Sequence, residues 1–236
     1  MINVPTVKDI LDKLERSAYR SSTYDLLNDT FICGSIAISN QFDWSKKRKE
    51  REKTYLQIMN KHDPETQKLI ADLFGMIFTL LSSQTDKSVG FSDYLGELYM
   101  KSETSSSRSG QFFTPYHISK LCAETLLEKR TVMRYKENDE ILTMYEPASG
   151  SGGMIIAAID TLINRYKFNT ARNLLVECAD IDARCVHMTY LQLALSGVPA
   201  IVRHQDTLAL KTWDTWLTPA LIMQRPRFEK YMNLSQ

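Results

Sequence analysis

Apolar residues fall at two different spacings along this 236-residue chain, and the change of spacing divides it. From about residue 5 to 100 they recur three and four apart, as on one face of a helix. Val7, Ile10, Leu11 and Leu14 form one such stripe behind Thr6, whose hydroxyl suits a helix start. Leu69, Ile70, Leu73, Phe74, Ile77 and Leu80 form another behind Asp63-Pro64-Glu65, where proline suits the first helical turn. A helical N-terminal domain over residues 1–100 is therefore expected. From residue 141 the apolar residues come instead in short blocks: 141–145, 173–179, 200–203 and Ala220-Leu221-Ile222-Met223-Gln224. Helical stretches separate them, one over about 183–195. Strand and helix alternating at this length call for an α/β fold with a parallel sheet and right-handed crossovers.

Between the two regions, residues 101–110 are polar and serine-rich, a loop or linker composition. A further helix is predicted over 116–127, so the α/β domain spans 111–236.

Composition narrows the setting. Apolar content of 43% and charged content of 24% are those of a soluble globular protein. A net charge of +1 gives no molecule-wide field for nucleic acid, so any DNA contact needs a local patch. The run Lys46-Lys47-Arg48-Lys49-Glu50-Arg51-Glu52-Lys53 reads either as a solvated helix face or as such a patch. Cys33, Cys122, Cys178 and Cys185 have neither C-x-x-C spacing nor a zinc pattern with histidine, as free thiols in a reducing compartment would. The start, Met1-Ile2-Asn3-Val4-Pro5-Thr6, lacks a signal pattern, and the longest apolar stretch (69–81) is broken by Asp72. A cytoplasmic protein without a membrane span is expected.

The chemistry centres on Tyr145-Glu146-Pro147-Ala148-Ser149-Gly150-Ser151-Gly152-Gly153, which follows a strand block and leads into Met154-Ile155-Ile156-Ala157-Ala158-Ile159. That is strand, glycine turn, helix. Small residues let the backbone turn tightly and approach a ligand, and the amides of the next helix can face an anion. Taken alone, the turn reads equally as an ordinary strand-to-helix connection. It is neither G-x-G-x-x-G nor a P-loop.

The wording of the turn resembles the Asp-Pro-Ala-Cys-Gly-Ser-Gly-Gly loop of N6-adenine DNA methyltransferases, above all the modification subunits of type I restriction–modification systems. Glu146 stands for Asp and Ser149 for Cys. Two further segments match the same family in the same order. Phe91-Ser92-Asp93-Tyr94-Leu95-Gly96-Glu97-Leu98-Tyr99 resembles its D-x-L-G-E-x-Y helix, and Gly110-Gln111-Phe112-Phe113-Thr114-Pro115 its G-x-F-[FY]-T-P segment.

The resemblance implies a Rossmann-like domain that binds S-adenosylmethionine (SAM). Phe112, Thr114 and Pro115 would lie over the cofactor, and Glu146, Ser149, Gly150 and Gly152 would hold it in the glycine turn. Asp180, ending the second strand block, would take the ribose hydroxyls, while Asp182 suits a helix N-cap. Asp206 in Asp206-Thr207-Leu208 would take the adenine amino group. Methyl transfer of this kind needs no metal.

The family also uses Asn/Asp-Pro-Pro-Tyr/Phe to hold a flipped adenine. These 236 residues contain no such motif. The candidate by position is Arg225-Pro226-Arg227-Phe228, after the fourth block: Phe228 could stack a base beside Pro226, but Arg225 has no acceptor for the amino group. A basic turn unrelated to the motif is the other reading of this segment.

The expected sheet is thus shortened, parallel and ordered 3-2-1-4, with strand four an open edge for a protein partner or second copy to cover. The expected function is transfer of a methyl group from SAM to adenine N6 in DNA, completed by a partner that supplies the catalytic acceptor or target recognition. DNA would be met through residues 46–49 or through that partner. The alternative is a catalytically silent SAM- and DNA-binding accessory or anti-restriction module. The motifs also formally allow RNA or protein as methyl acceptor.

Overall fold

The computed structural model describes residues 4–17, 22–103 and 112–232. Most of the serine-rich segment, together with Gly110 and Gln111, lies outside the described residues. The first part is helical: α1 (Val7–Ser17), α2 (Thr23–Phe42), α3 (Lys47–Met59), α4 (Pro64–Ser82) and α5 (Tyr94–Glu103). Local chemistry sets two of these starts. Thr6 Oγ1 accepts from Asp9 N at 3.2 Å while Asp9 Oδ2 accepts from Thr6 N at 2.8 Å, a reciprocal cap. Asp63 Oδ1 accepts from Thr66 N at 2.8 Å ahead of Pro64.

The second part begins with α6 (Tyr116–Leu126) and α7 (Lys129–Glu137). Then follow β1 (Leu142–Glu146) and α8 (Gly153–Asp160), which widens into a π-helical turn at Thr161–Arg165. A single turn, α9 (Thr170–Asn173), precedes β2 (Leu174–Asp180), α10 (Ala183–Leu195) and β3 (Ala200–Asp206). The chain continues as β4 (Lys211–Leu217), α11 (Pro219–Met223) and α12 (Arg225–Met232).

The sheet order is β1-β2-β3-β4, with β1, β2 and β3 parallel and β4 antiparallel to β3. This corrects the all-parallel order 3-2-1-4. The fourth strand is not the block at 220–224 but Lys-Thr-Trp-Asp-Thr-Trp-Leu before it. Asp206 Oδ1 accepts from Ala209 N at 2.9 Å and Leu210 takes a φ of 54°, so the chain turns back on β3 without a crossover. Trp216 then buries its ring against Tyr190 and His187. The apolar block at 220–224 folds instead as α11 behind Thr218 and Pro219. A run this short fits a strand or a buried helix equally by periodicity.

α10 joins the two parts of the chain. Cys185, Met188 and Leu191 belong to the core of α1, α2, α4 and α5, whereas Val186, Tyr190 and Leu193 belong to the core against the sheet. The helical region therefore packs onto the sheet layer through a helix buried on both sides. Among the described residues no helix is long and apolar enough to cross a membrane.

Candidate functional site

The glycine turn sits at the carboxyl end of β1. Gly150 (φ 54°) and Gly152 (φ 97°) occupy left-handed backbone that L side chains rarely adopt, which is what lets the chain turn within residues 147–152 from β1 into α8. Asp180, ending β2, fixes the turn from one side. Its Oδ2 accepts from Gly150 N at 2.8 Å and its Oδ1 from Asp182 N at 2.8 Å. Ser149 N donates to Ala179 O at 2.9 Å, and Thr189 Oγ1 of α10 donates to Gly150 O at 2.9 Å. Asp182 itself caps α10, accepting from Arg184 N at 2.9 Å.

A cleft of about 230 Å³ opens over this turn. Ala148, Ser149, Gly150, Ser151 and Gly153 form its floor. Phe112, Phe113 and Thr114 form one wall, and Phe113 packs against Tyr99 with the rings tilted and their centroids 5.5 Å apart. Asp180, Asp93, Met154 and Ser119 complete it. Of the cofactor residues expected from the sequence, Phe112, Thr114, Ser149, Gly150 and Asp180 are thus brought together around one space. Pro115 ends the same segment as the N-terminal boundary of α6, and Gly152, at α8's start, is not among the residues lining the cleft.

Glu146 and Asp206 end β1 and β3, on either side of Asp180 at the end of β2, but do not line the cleft. Glu146 Oε1 accepts from Ala148 N at 3.2 Å, and the carboxylate of Asp206 is engaged in its own turn. Thr207 Oγ1 donates to Pro147 O at 2.8 Å and ties that turn to the loop after β1. Ile181, Leu208 and Phe112 expose 63%, 99% and 82% of their surface around these ends, an apolar rim that nothing covers among the described residues.

Asp93, Ser119 and Gln192 had no assigned role from sequence. The Ser119 hydroxyl lines the cleft, buried and without a hydrogen-bond partner among the described residues, so the cleft offers an unfilled donor and acceptor. Asp93 is 6% exposed, and burial raises its pKa against the opposing donors Ser151, Gln192 and Gly96. A lone serine on a helix carries no signal in sequence, and Asp93 becomes part of the cleft only when α5 meets the turn.

The sequence profile of the family described as N-6 DNA Methylase matches residues 91–235, well over half of the chain. The chain belongs to the N-6 DNA methylase family. A crystal structure of the methyltransferase subunit of a type I restriction–modification system from Streptococcus thermophilus is similar over 86% of this chain, at 15% identity and a TM-score of 0.37. This chain covers 59% of that protein's length. No curated protein matches the sequence.

For an N-6 DNA methylase, the segment Arg225-Pro226-Arg227-Phe228 is in an unexpected place. It is the start of α12, and Phe228 is fully buried among Ile141, Leu175, Ile201 and Leu221. Arg227 donates to Arg172 O at 2.9 Å and to Asp139 Oδ1 at 3.1 Å, residues that precede β2 and β1. The segment therefore packs at the amino ends of the strands, opposite the glycine turn. An aromatic ring surrounded by aliphatic side chains has no face left for a base.

The basic run is partly committed as well. Arg51 is buried, and Lys47 lies 3.4 Å from Asp214 and 3.7 Å from Glu50. Lys46 and Lys49 remain exposed, and Arg48 stacks over Trp44, itself 77% exposed.

Proposed function

We propose that this protein is a SAM-dependent DNA methyltransferase acting on adenine N6, with a partner chain supplying the acceptor that orients the adenine amino group. The observation that carries the reading is the joint placement of Asp180 and the glycine turn under Phe112–Thr114 (residues 112–114), in a chain of the N-6 DNA methylase family. Bound in the cleft, SAM would supply an electrophilic methyl group on a sulfonium.

The residues of this chain would bind and orient it. Asp180 keeps lone pairs beyond those taken by Gly150 and Asp182, and these suit ribose hydroxyls. Ser119 and Thr114 offer hydroxyls, and the exposed ring of Phe112 would cover one side of a bound cofactor. Glu146 and Asp206 flank the cleft and would serve the cofactor's polar ends. Lys46, Lys49 and the Trp44–Arg48 pair would meet the DNA backbone, an electrostatic contact expected to weaken with salt.

A second reading, a SAM- and DNA-binding module without its own methyl transfer, is favoured by the position of α12. The segment nearest in wording to the catalytic motif is a structural helix at the wrong end of the sheet. One experiment separates the two. Labelled SAM is titrated into the purified protein, and adenine-containing DNA is then added with and without a DNA-recognition subunit of a type I system. Binding followed by transfer to adenine supports the enzyme; binding without transfer under either condition supports the silent module; absence of SAM binding overturns both.

A further inference from the structure

The hairpin of β3 and β4 carries exposed aromatic and aliphatic side chains that the cofactor cleft does not use. Its ladder pairs His204 with Asp214 and Gln205 with Thr212, so Trp213 is an extra residue, a bulge of the kind that re-aims a side chain. The exposed Trp213 ring packs against His204 with centroids 4.6 Å apart, and Lys211 Nζ lies 5.8 Å from the ring centroid. His204 is held in turn, its Nε2 lying 3.1 Å from Ile181 O, the residue directly after Asp180. At the hairpin tip Leu208 and Leu210 are exposed, and Leu210 holds a left-handed φ of 54° that an aliphatic side chain rarely adopts.

Both sides of this hairpin are anchored. Thr207 Oγ1 donates to Pro147 O at 2.8 Å, which fixes the tip to the loop that forms the cleft. On the other strand, Lys47 lies 3.4 Å from Asp214, and Arg51 donates to Thr215 O at 2.8 Å, which fixes β4 to α3. Two exposed tryptophans, Trp213 on β4 and Trp44 just before α3, therefore sit on elements packed together, and each has its own cation. For Trp44 it is Arg48, 4.1 Å from the ring centroid. Both acids of the hairpin are already engaged: Asp206 Oδ1 accepts from Ala209 N, and Asp214 is ion-paired with Lys47 and Arg51. Flat rings beside cations, with the neighbouring carboxylates taken, complement a polyanion that carries flat rings of its own. Strand addition from a protein partner suits this edge less, because Arg51 occupies the Thr215 carbonyl.

We propose that the β3–β4 hairpin is a nucleobase-stacking surface for unpaired DNA: Trp213, backed by His204, stacks a base, Lys211 meets a phosphate, and Leu208 and Leu210 cover the face of a neighbouring base. The choice of DNA rests on the methyltransferase reading above, and the hairpin deepens it by giving this chain its own contact with bases at the cleft. An adenine must leave the duplex stack before a methyl donor can reach its amino group. A surface that holds the adjoining bases unpaired, tied to the glycine turn through Thr207, lowers the cost of that step.

The test measures the affinity of the full chain for a short single-stranded deoxyoligonucleotide of mixed sequence and for an abasic strand of the same length, by fluorescence anisotropy. The abasic strand keeps the phosphates and lacks the rings. Wild type should bind the base-bearing strand about tenfold more tightly, the scale of one stacked base. Trp213→Ala should bring that ratio below about threefold and leave the abasic affinity unchanged, whereas Lys211→Gln should weaken both strands alike. Equal binding of the two strands by wild type, or an undiminished ratio in Trp213→Ala, would overturn the proposal. SAM is titrated into the same samples. Wild type that binds SAM but neither strand would also overturn it, and would leave the exposed residues to a protein partner. Preference for the base-bearing strand without SAM binding would support the stacking surface and count against the cofactor reading alone. Should Trp213→Ala not fold, Leu208→Ser, at a fully exposed position, carries the same test: the ratio must fall, and an unchanged ratio sinks the idea.

Discussion

The guanidinium of Arg51 lies 3.8 Å above the ring of Trp216 and ties α3 to β4. The same group donates to Ser39 Oγ at 2.7 Å, Asp43 Oδ2 at 2.9 Å and Thr215 O at 2.8 Å, and it is 4% exposed. A cation from the helical region thus occupies a backbone acceptor of an edge strand, which blunts that edge against pairing with other chains.

Arg51→Ala would remove the guanidinium hydrogen bonds to Asp43 Oδ2 and the Thr215 carbonyl, leaving Asp43 only its bonds from Ser45. We expect a stability loss of about 3 kcal/mol in urea unfolding, the scale for breaking a buried, hydrogen-bonded charge pair. Arg51→Lys should recover only part, since an ammonium cannot reproduce the planar fork or its stacking on Trp216. A loss below about 1 kcal/mol for the alanine variant, the range of an exposed pair, would show that the contact is ornamental.

Phe228→Ala separates a core ring from a base-stacking one. Emptying its place among Ile141, Leu175, Ile201 and Leu221 should cost about 3–5 kcal/mol of stability. SAM affinity, measured well below the melting temperature, should stay at the wild-type value. A variant of unchanged stability that fails to engage DNA would restore this ring to the catalytic site.

Asp180→Asn tests the cofactor map directly. Asparagine offers one acceptor oxygen where Gly150 N and Asp182 N already use both carboxylate oxygens. SAM should bind at least about tenfold more weakly by calorimetry, the equivalent of one lost hydrogen bond to a charged group. Unchanged affinity would remove Asp180 from the site.

His187 supplies a pH dependence. Burial lowers its pKa from 6.5 to about 4, beside the edge of Trp216. The folded value lies below the unfolded one, so the unfolded chain takes up the proton first. The resulting stability is complete above pH 6.5 and is lost as pH falls from there to about 4. About 3 kcal/mol is at stake. His187→Leu cannot titrate, and its unfolding free energy should fall less than that of wild type between pH 7 and pH 4.5. Parallel pH profiles for the two proteins would count against a neutral buried imidazole.

Much of the site was legible because its chemistry is local. Glu146-Pro147-Ala148-Ser149-Gly150-Ser151-Gly152-Gly153 states its own turn, since Gly150 and Gly152 meet a backbone demand few other residues satisfy. Asp63, Thr6 and Asp182 announced helix starts for a similarly short-range reason: the hydrogen bonds they accept come from two or three residues away. Asp180 was legible through its place at a strand end. Its bond to Gly150, thirty residues away, was not.

The sequence by itself determined the helical first part, the three parallel strands, the glycine turn and the family to which they belong. Each depends on periodicity or on residues a few positions apart, and such information survives without a fold. Only the tertiary structure decided the rest. Whether 220–224 is strand or helix depended on Thr218, whose hydroxyl accepts from Ala200 N at 2.8 Å and donates to Val198 O at 2.7 Å. β4 chose the edge beside β3 because a tight turn after Asp206 costs less chain entropy than a crossover to β1. Asp93 entered the cleft because α5 packs where Gly96 and Gly153 leave space for a carboxylate. Long-range hydrogen bonds and buried charge have no period for a sequence to display; they exist only once the elements have met.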